Sequence, residues 1–455
     1  MSAPARQHRR ALPEAPTRRG WCPGLARPMP TGDGLLARVH PPLGMLSRDQ
    51  ARAVAEGARR FGNGHLDLTA RANLQIRGVS DATRAPLARL LETAGLGDVR
   101  ADGGPQRLTL TNPLAGRDAS EAIDVPALAR AIEAAGLAVP GLPAKTLVVV
   151  EGRPDVALPD ADCFVVGSGA GTVVIAAETA EGRRDLFTCS EQEAPALVAA
   201  ILAAFARTGH RRMRDLSDER LEDLASPLRA RCPVGDLPSE AGGGRRGVAR
   251  DFRPFAPAAG LRTVSGHHIL AIDAPFGRCT ADSLDRVVEV ADAVGADAIR
   301  LSPTRGFVLL AAPGTEAAPA LAALADAFIV APDDPRRGID ACTGAPGCAS
   351  GSTPTLADAA RLAEALRSLD MPPLAAHVSG CAKGCARPGP ADLTLVGQDG
   401  LYGPIVGGAP GDEPALYLSI EAVLERLGRA KTVGLAAAFA PDTDLTMSGR
   451  TRRPA

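Results

Sequence analysis

The sequence predicts an α+β chain made of two copies of one design, two halves disposed about a pseudo-twofold axis. Two observations carry this reading: a strand–helix–strand pattern that occurs twice with equal internal spacing, and a later strand sequence that also occurs twice, in the same order. A third observation adds chemistry, since four cysteines in two close pairs fall in the second copy alone.

In the first copy, Gly34 to Val39 reads as a strand. Ser47 is an N-cap, and Gln50 three residues on completes a capping box. Ala51, Val54, Ala55 and Ala58 follow at the helical period, Gly62-Asn63-Gly64 stops the helix, and Leu66, Leu68 and Ala70 alternate as the next strand. The second copy has the same syntax: His268 to Ile272 as strand, Thr280 as cap, Leu284, Val287, Val288 and Ala291 as the helical stripe, Gly295 as the stop. Ile299 and Leu301 then alternate into Thr304-Arg305. The intervals from Leu35 to Arg71 and from Ile269 to Arg305 are both 36 residues.

Further on, Asp162-Cys-Phe-Val-Val-Gly167 matches Asp392-Leu-Thr-Leu-Val-Gly397, and Gly152, after Val148, Val149 and Val150, takes the place of Gly380. Residues 216–262, with Gly242-Gly243-Gly244 and several prolines, read as the linker between copies. Two long copies cannot form a solenoid array. A pseudo-twofold pair commonly leaves a cleft between its halves.

Length and composition narrow the function. The 455 residues allow two to four domains. With 51 basic and 52 acidic side chains there is no global attraction to nucleic acid or an anionic membrane, so neither is expected as a partner. Aromatic residues are 3% of the chain, so a flat ligand would be held by aliphatic and arginine side chains rather than by stacking. No apolar run reaches the roughly 18–20 residues of a membrane span. The segment from Met1 to Gly20 lacks the apolar stretch of a signal peptide, and the expectation is a disordered lead-in on a cytoplasmic protein.

Of nine cysteines, Cys22, Cys163, Cys189, Cys232 and Cys279 stand singly, whereas Cys342-x5-Cys348 and Cys381-x3-Cys385 form pairs 32 residues apart. Iron–sulfur clusters need four thiolates converging on a small cube, and paired cysteines on loops deliver them. Gly344, Gly347, Gly380 and Gly384 let the backbone curl and offer N–H groups to the sulfurs. The stretch between the pairs, Thr353 to Leu369, predicts a helix. A structural zinc is the alternative four-thiolate site, though its pairs usually lie two to four residues apart. Four unligated cysteines are the remaining reading.

Arg71, Asn73, Gln75 and Arg77 occupy alternate positions, so one strand would present all four on a single face, with Leu74 and Ile76 behind. Forked guanidinium groups pair bidentately with carboxylates, as a multiply carboxylated ligand requires; a solvated strand face is the plainer reading. Gly167-Ser-Gly-Ala-Gly171 follows a strand but lacks the dinucleotide fingerprint and its acidic partner. No tight nicotinamide or flavin site is expected, and electrons would come from a separate NAD(P)H-linked donor protein.

Thr69-Ala-Arg-Ala-Asn-Leu-Gln-Ile-Arg-Gly78 resembles the Thr-x-Arg-x-x-x-Gln-x-x-Gly motif of siroheme nitrite and sulfite reductases. The cysteine pattern is similar to their cluster motif, and the duplication is theirs as well. The resemblance runs from about Pro28 to Gly434. It implies two ferredoxin-like half-domains and two α/β cluster-type domains: residues 25–98 and 99–215 after a lead-in of 1–24, then 263–335 and 336–450 after the linker, with the [4Fe–4S] cluster in the last. It implies that Cys342, Cys348, Cys381 and Cys385 ligate the cluster, and that Cys385 would be the axial bridge to iron were siroheme bound. It places Arg71 and Gln75 against a tetrapyrrole, with Asn73 and Arg77 beside them, and Arg38, Arg107 and Lys145 at the basic anion-site positions.

Two departures bear on function. The reductases carry a second basic residue two positions after the lysine, where this chain has Leu147, and tend to have a basic residue where it has Asp67. The opening Arg19-Gly-Trp-Cys-Pro-Gly-Leu-Ala-Arg-Pro-Met29 and the compact length resemble a branch of the family that uses dioxygen to hydroxylate a reduced tetrapyrrole, precorrin-3A, at C20 with γ-lactone formation. The resemblance thus implies an iron–sulfur monooxygenase whose substrate occupies the place of the siroheme. A siroheme-dependent reductase, kept open by Cys385, is the alternative, and a non-enzymatic electron carrier or tetrapyrrole-binding protein is the third. The family also implies a mononuclear non-haem iron, but His40, His65, His267, His268 and His377 give no two-His-one-carboxylate spacing. Cys22 is flagged as a thiol near the site, with a buried apolar cysteine as the plainer reading.

Overall fold

The structure is a computed structural model that describes residues 21–229 and 252–441. Most of the expected lead-in, the centre of the expected linker and Cys232 lie outside the described residues. The chain divides into two compact units, one holding Gly34–Pro332 with the preceding segment up to Pro30, the other holding Asp333 onward with Thr31–Asp33.

In the first unit, strand Gly34–Val39 pairs with Leu74–Val79, which pairs with His65–Leu68. The helix Arg48–Phe61 starts as local chemistry dictates, with Ser47 Oγ accepting from Gln50 N and Gln50 returning its side chain to Ser47 N. In the second copy His267–Asp273, Gly306–Leu310 and Ile299–Ser302 repeat the order, and Thr280 caps the helix Ala281–Ala293.

Each half-domain completes its sheet with a strand of the other. Arg278–Thr280 pairs with His65–Leu68, placing Cys279 opposite Leu66, and Met45–Leu46 pairs with Ile299–Ser302, placing Leu46 opposite Ile299. The exchange ties the copies into one hydrophobic core that includes Leu46, Leu66, Ile76, Leu284 and Ile299. It also corrects the alignment read from spacing. Leu66 corresponds to Ile299, so the copies are displaced by one residue less than the 36-residue intervals imply, and Arg305 takes the place of Ala72 rather than Arg71. Both residues have positive φ, 51° at Ala72 and 65° at Arg305, which marks the same turn in both copies.

The remainder of the first unit is a sheet in which Thr109–Thr111, Val148–Glu151 and Cys163–Gly169 run parallel, extended antiparallel by Thr172–Thr179 and Gly182–Ser190. Helices Val125–Leu137 and Ala194–Thr208 pack on it around Ile132, Val165, Ile201 and Phe205. The expected linker is partly structured. Residues Asp218–Arg229 form a helix that buries Leu221, Ala225 and Leu228, and Gly260–Val264 is already the first strand of the second half-domain. That strand bears exposed Leu261, Arg262 and Thr263, so it shows no apolar alternation to announce it.

The second unit repeats the parallel pattern with Ile339–Ala341, Ala376–Ser379 and Leu393–Gln398, closed by antiparallel Leu401–Val406. The correspondence reaches single hydrogen bonds. Leu147 N donates to Asp162 Oδ2 at 3.0 Å, and Ala375 N donates to Asp392 Oδ2 at 2.9 Å. A Cβ on Gly167 would lie 2.6 Å from Gly152 O, and one on Gly397 would lie 3.0 Å from Gly380 O. These close approaches explain the glycines that marked the repeat. Among the described residues no helix is long and apolar enough to cross a membrane.

Candidate active site

The second unit brings the four paired cysteines together. Cys342 leaves strand Ile339–Ala341, its N–H held by Val378 O at 3.2 Å, and Cys381 follows Ala376–Ser379 after Gly380. Between them the chain folds back through Cys348 N to Gly344 O at 2.7 Å and Ser352 N to Gly380 O at 3.2 Å, then enters the helix Thr355–Ser368. Gly344 has φ +59°, and a Cβ there would lie 2.3 Å from Thr355 Oγ1 and 2.5 Å from Thr353 O. No other residue fits that turn.

Gly380 N donates to Cys342 Sγ at 3.1 Å, a main-chain donor to a sulfur as the sequence led us to expect. Burial pushes the Cys385 thiol up to about 11, Lys383 pulls it down, and the other three cysteines are near enough to raise it further. Yet among the described residues no three His, Cys, Asp or Glu side chains converge as the shell of a single metal ion requires. Paired thiols on glycine-rich loops are donors that a multi-iron cluster or a zinc ion would take. The same observation gives no ligand set for a mononuclear iron.

In the first copy the corresponding strand ends carry Asn112 and Arg153 instead of cysteines. Buried Arg153 pairs with Glu151 at 3.0 Å and Asp118 at 2.7 Å, so ion pairs occupy the position of the thiols. Glu121 beside them is pushed up to about 7, chiefly by burial and further by the Glu151 carboxylate.

Sequence reasoning missed the polar support behind Cys342. Tyr402 Oη donates to Asp358 Oδ2 at 2.6 Å, with both residues buried, and buried Thr355 donates to Cys342 O at 2.5 Å. Tyrosine is rare in this chain, with two in all, which is a signal the sequence did contain.

The predicted basic residues gather in the first unit, though not as one strand face. Strand Leu74–Val79 begins after Arg71 and Asn73, which lie in the preceding turn because Ala72 adopts positive φ and interrupts the alternation. Across the sheet, Arg38, Gln75, Asp67 and Arg278 stand in one row. With the Gln75 amide oxygen facing Arg38, it accepts from Nε at 3.2 Å and Nη2 at 2.7 Å. Asp67 takes Arg278 Nε at 2.6 Å and Arg77 Nη1 at 3.2 Å, so the acid that departs from the family pattern forms an ion pair with buried Arg77.

Arg107 is buried and committed to the backbone. It donates to Pro41 O at 3.1 Å, Ala72 O at 2.9 Å and Arg71 O, which clamps the turn that bears Arg71. Desolvation lowers its pKa to about 10, still charged at neutral pH. Half-buried His40 is held well below the usual range by desolvation and by the charges of Arg38 and Arg107, and stays neutral. Arg71 Nη1 reaches Lys145 O at 2.9 Å. Leu147, two residues on, is buried and gives its N–H to fully buried Asp162, which also accepts from Arg212 Nε at 2.9 Å and Met213 N at 3.0 Å. Cys22 lies beside Arg38. Arg38, Arg71, Lys145 and Arg212 thus come from four separate segments to one region, and Arg212 was not anticipated.

Comparison with known proteins agrees with this arrangement. The nitrite/sulfite reductase ferredoxin-like half domain matches residues 27–94 and 260–327, the two halves that exchange strands. A precorrin-3B synthase of Sinorhizobium is 34% identical over 96% of this chain and 94% of its own length. A ferredoxin–nitrite reductase of Synechococcus elongatus is 27% identical over 83% of this chain and 78% of its own. Among solved structures, the NirA protein of Mycobacterium tuberculosis matches 87% of this chain and 80% of its own with a TM-score of 0.70 at 21% identity, which shows the shared fold. The duplicated fold, the strand exchange and this level of identity place the chain in the precorrin-3B synthase family, oxidoreductases built on the nitrite and sulfite reductase fold.

Proposed function

We propose that this chain converts precorrin-3A to precorrin-3B, placing a hydroxyl at C20 and closing a γ-lactone with a ring A acetate. One atom of dioxygen enters the product and the other leaves as water, with two electrons and two protons taken from an external donor protein. The observation that carries the reading is the composition of the basic region. Arg38, Arg71, Lys145 and Arg212 are suited to the carboxylates of a tetrapyrrole, while Leu147, buried with its N–H on Asp162, puts no cation where the reductases place a second one.

Cys342, Cys348, Cys381 and Cys385 would hold a [4Fe–4S] cluster, which when bound supplies single electrons. The chain's own residues do the rest. Arg107 fixes the turn that presents Arg71, and Gln75 holds the Arg38 guanidinium. Neutral His40 adds no charge beside them.

The test is protein purified without oxygen, assayed for iron, sulfide and absorption, then given precorrin-3A, reductant and ¹⁸O-labelled dioxygen. The expected result is about four irons per chain, a broad cluster absorption without a Soret band, and a product heavier by one labelled oxygen. A strong siroheme spectrum with turnover of nitrite or sulfite would replace this reading with that of a reductase.

A further inference from the structure

Four buried polar side chains near Cys342 have apolar counterparts in the copy that carries no thiols. Thr353, Thr355, Asp358 and Tyr402 are between 0% and 4% exposed. Ser352 N donates to Gly380 O as Ala122 N donates to Gly152 O, and Asp358 N donates to Pro354 O as Leu128 N donates to Asp124 O. The start of helix Thr355–Ser368 therefore matches that of Val125–Leu137 residue for residue. Tyr402 stands opposite Gly397 as Val173 stands opposite Gly167. The counterparts of the four are thus Ile123, Val125, Leu128 and Val173, all buried. Apolar groups can replace a buried hydrogen-bonded pair at little cost to stability, and the first copy folds with them. The fold itself does not call for Asp358 and Tyr402, which occur in the copy that bears the thiols.

The group adjoins Cys342. Thr355 Oγ1 donates to Cys342 O at 2.5 Å and lies 4.0 Å from Cys342 Sγ. One helical turn on, Asp358 accepts from Tyr402 Oη at 2.6 Å. Burial pushes the Tyr402 hydroxyl far up and Asp358 raises it further, so it keeps its proton and serves as the donor; Cys342 is near enough to add to the effect. The N-terminus of the helix favours a negative charge at Asp358. Arg361 stands 3.7 Å from its other oxygen, but is exposed and shared with Glu421. We infer that the Asp358 carboxylate, held by Tyr402, keeps the midpoint potential of the metal group on Cys342 low, because a fixed negative charge disfavours an added electron. The inference rests on the proposed cluster. One electron passes from the external donor to the cluster, no bond forms or breaks, and no proton moves. A charge in a buried, low-dielectric setting acts over several ångströms, and net charge near a cluster is one of the factors that set its potential.

The test is a redox titration of the full-length, cluster-loaded protein, with the reduced cluster read by electron paramagnetic resonance. Asp358→Asn removes the charge and keeps the shape. It should raise the midpoint by the equivalent of about a tenfold change in the reduction constant, about 59 mV for one electron, with iron and sulfide content unchanged. Asp358→Leu combined with Tyr402→Val installs the residues of the first copy. This double variant should fold, bind the cluster and shift the midpoint in the same direction, which keeps the test open should Asp358→Asn fail to load. A purely structural role for the pair would leave the potential where it was. An unchanged or lowered midpoint in a loaded variant overturns the inference alone, and so does loss of the cluster from both variants. Wild-type protein without iron and sulfide, or with zinc in their place, overturns it together with the proposed cluster.

Discussion

Replacing Asp162 with alanine should be among the most damaging single changes in the first unit. The carboxylate is fully buried and accepts Leu147 N at 3.0 Å, Met213 N at 3.0 Å and Arg212 Nε at 2.9 Å. Its removal leaves two buried main-chain donors unmet, about 1–3 kcal/mol each, and takes the counter-charge from Arg212, which is 22% exposed and so loses less than the roughly 3–5 kcal/mol of a fully buried broken pair. The expected loss is about 4–6 kcal/mol, a large share of the roughly 5–15 kcal/mol that stabilises a typical domain. Asp392 is the internal control. It holds the matching place in the second copy and makes the matching bond to Ala375 N, but it is exposed, so Asp392→Ala should cost about 1 kcal/mol or less. Urea unfolding followed by tryptophan fluorescence and circular dichroism reads both variants. If Asp162→Ala is no more destabilised than Asp392→Ala, the account of Asp162 as a buried clasp is wrong.

Other perturbations separate the parts of the molecule. Gly344→Ala forces a Cβ to within 2.3 Å of Thr355 Oγ1 at φ +59°, so iron and sulfide content should fall to a small fraction of wild type; full occupancy would refute the tight-turn argument. Arg71→Ala should leave the cluster absorption intact and weaken tetrapyrrole binding about 10-fold, and unchanged affinity would displace the basic region as the binding site. Glu121 is raised from 4.5 to about 7 by burial and by Glu151. Between these values the unfolded chain releases a proton that the folded chain keeps, so the contribution of Glu121 to stability is full below about 4.5 and is lost as pH rises toward about 7. Glu121→Gln should flatten that slope in urea midpoints measured from pH 5 to 8, and an unchanged slope would exclude Glu121 as its source.

Short-range chemistry was legible in the sequence. Ser47 and Gln50 form their capping box, Thr280 caps its helix, and the cysteine pairs flank the helix expected between them, because caps and periodicity depend on residues within one or two turns. The glycines that marked the repeat sit where backbones meet too closely for a Cβ. Charged side chains were harder to read, because their partners come from distant segments. Arg107 reads as an anion-site cation, yet its guanidinium goes to main-chain carbonyls, and Arg77 goes to Asp67. The alternation at 71, 73, 75 and 77 gave no warning of positive φ at Ala72.

By itself, then, the sequence determined the duplication, the helix starts and the thiol-bearing loops, all of which follow from local pattern. Tertiary structure decided the exchange of Met45–Leu46 and Arg278–Thr280 between sheets, the true displacement of the copies, and the company Arg71 keeps. Strand pairing and ion pairing are set by which surfaces meet when cores close. For that reason Arg212, 141 residues from Arg71, could enter the basic region without any motif to announce it.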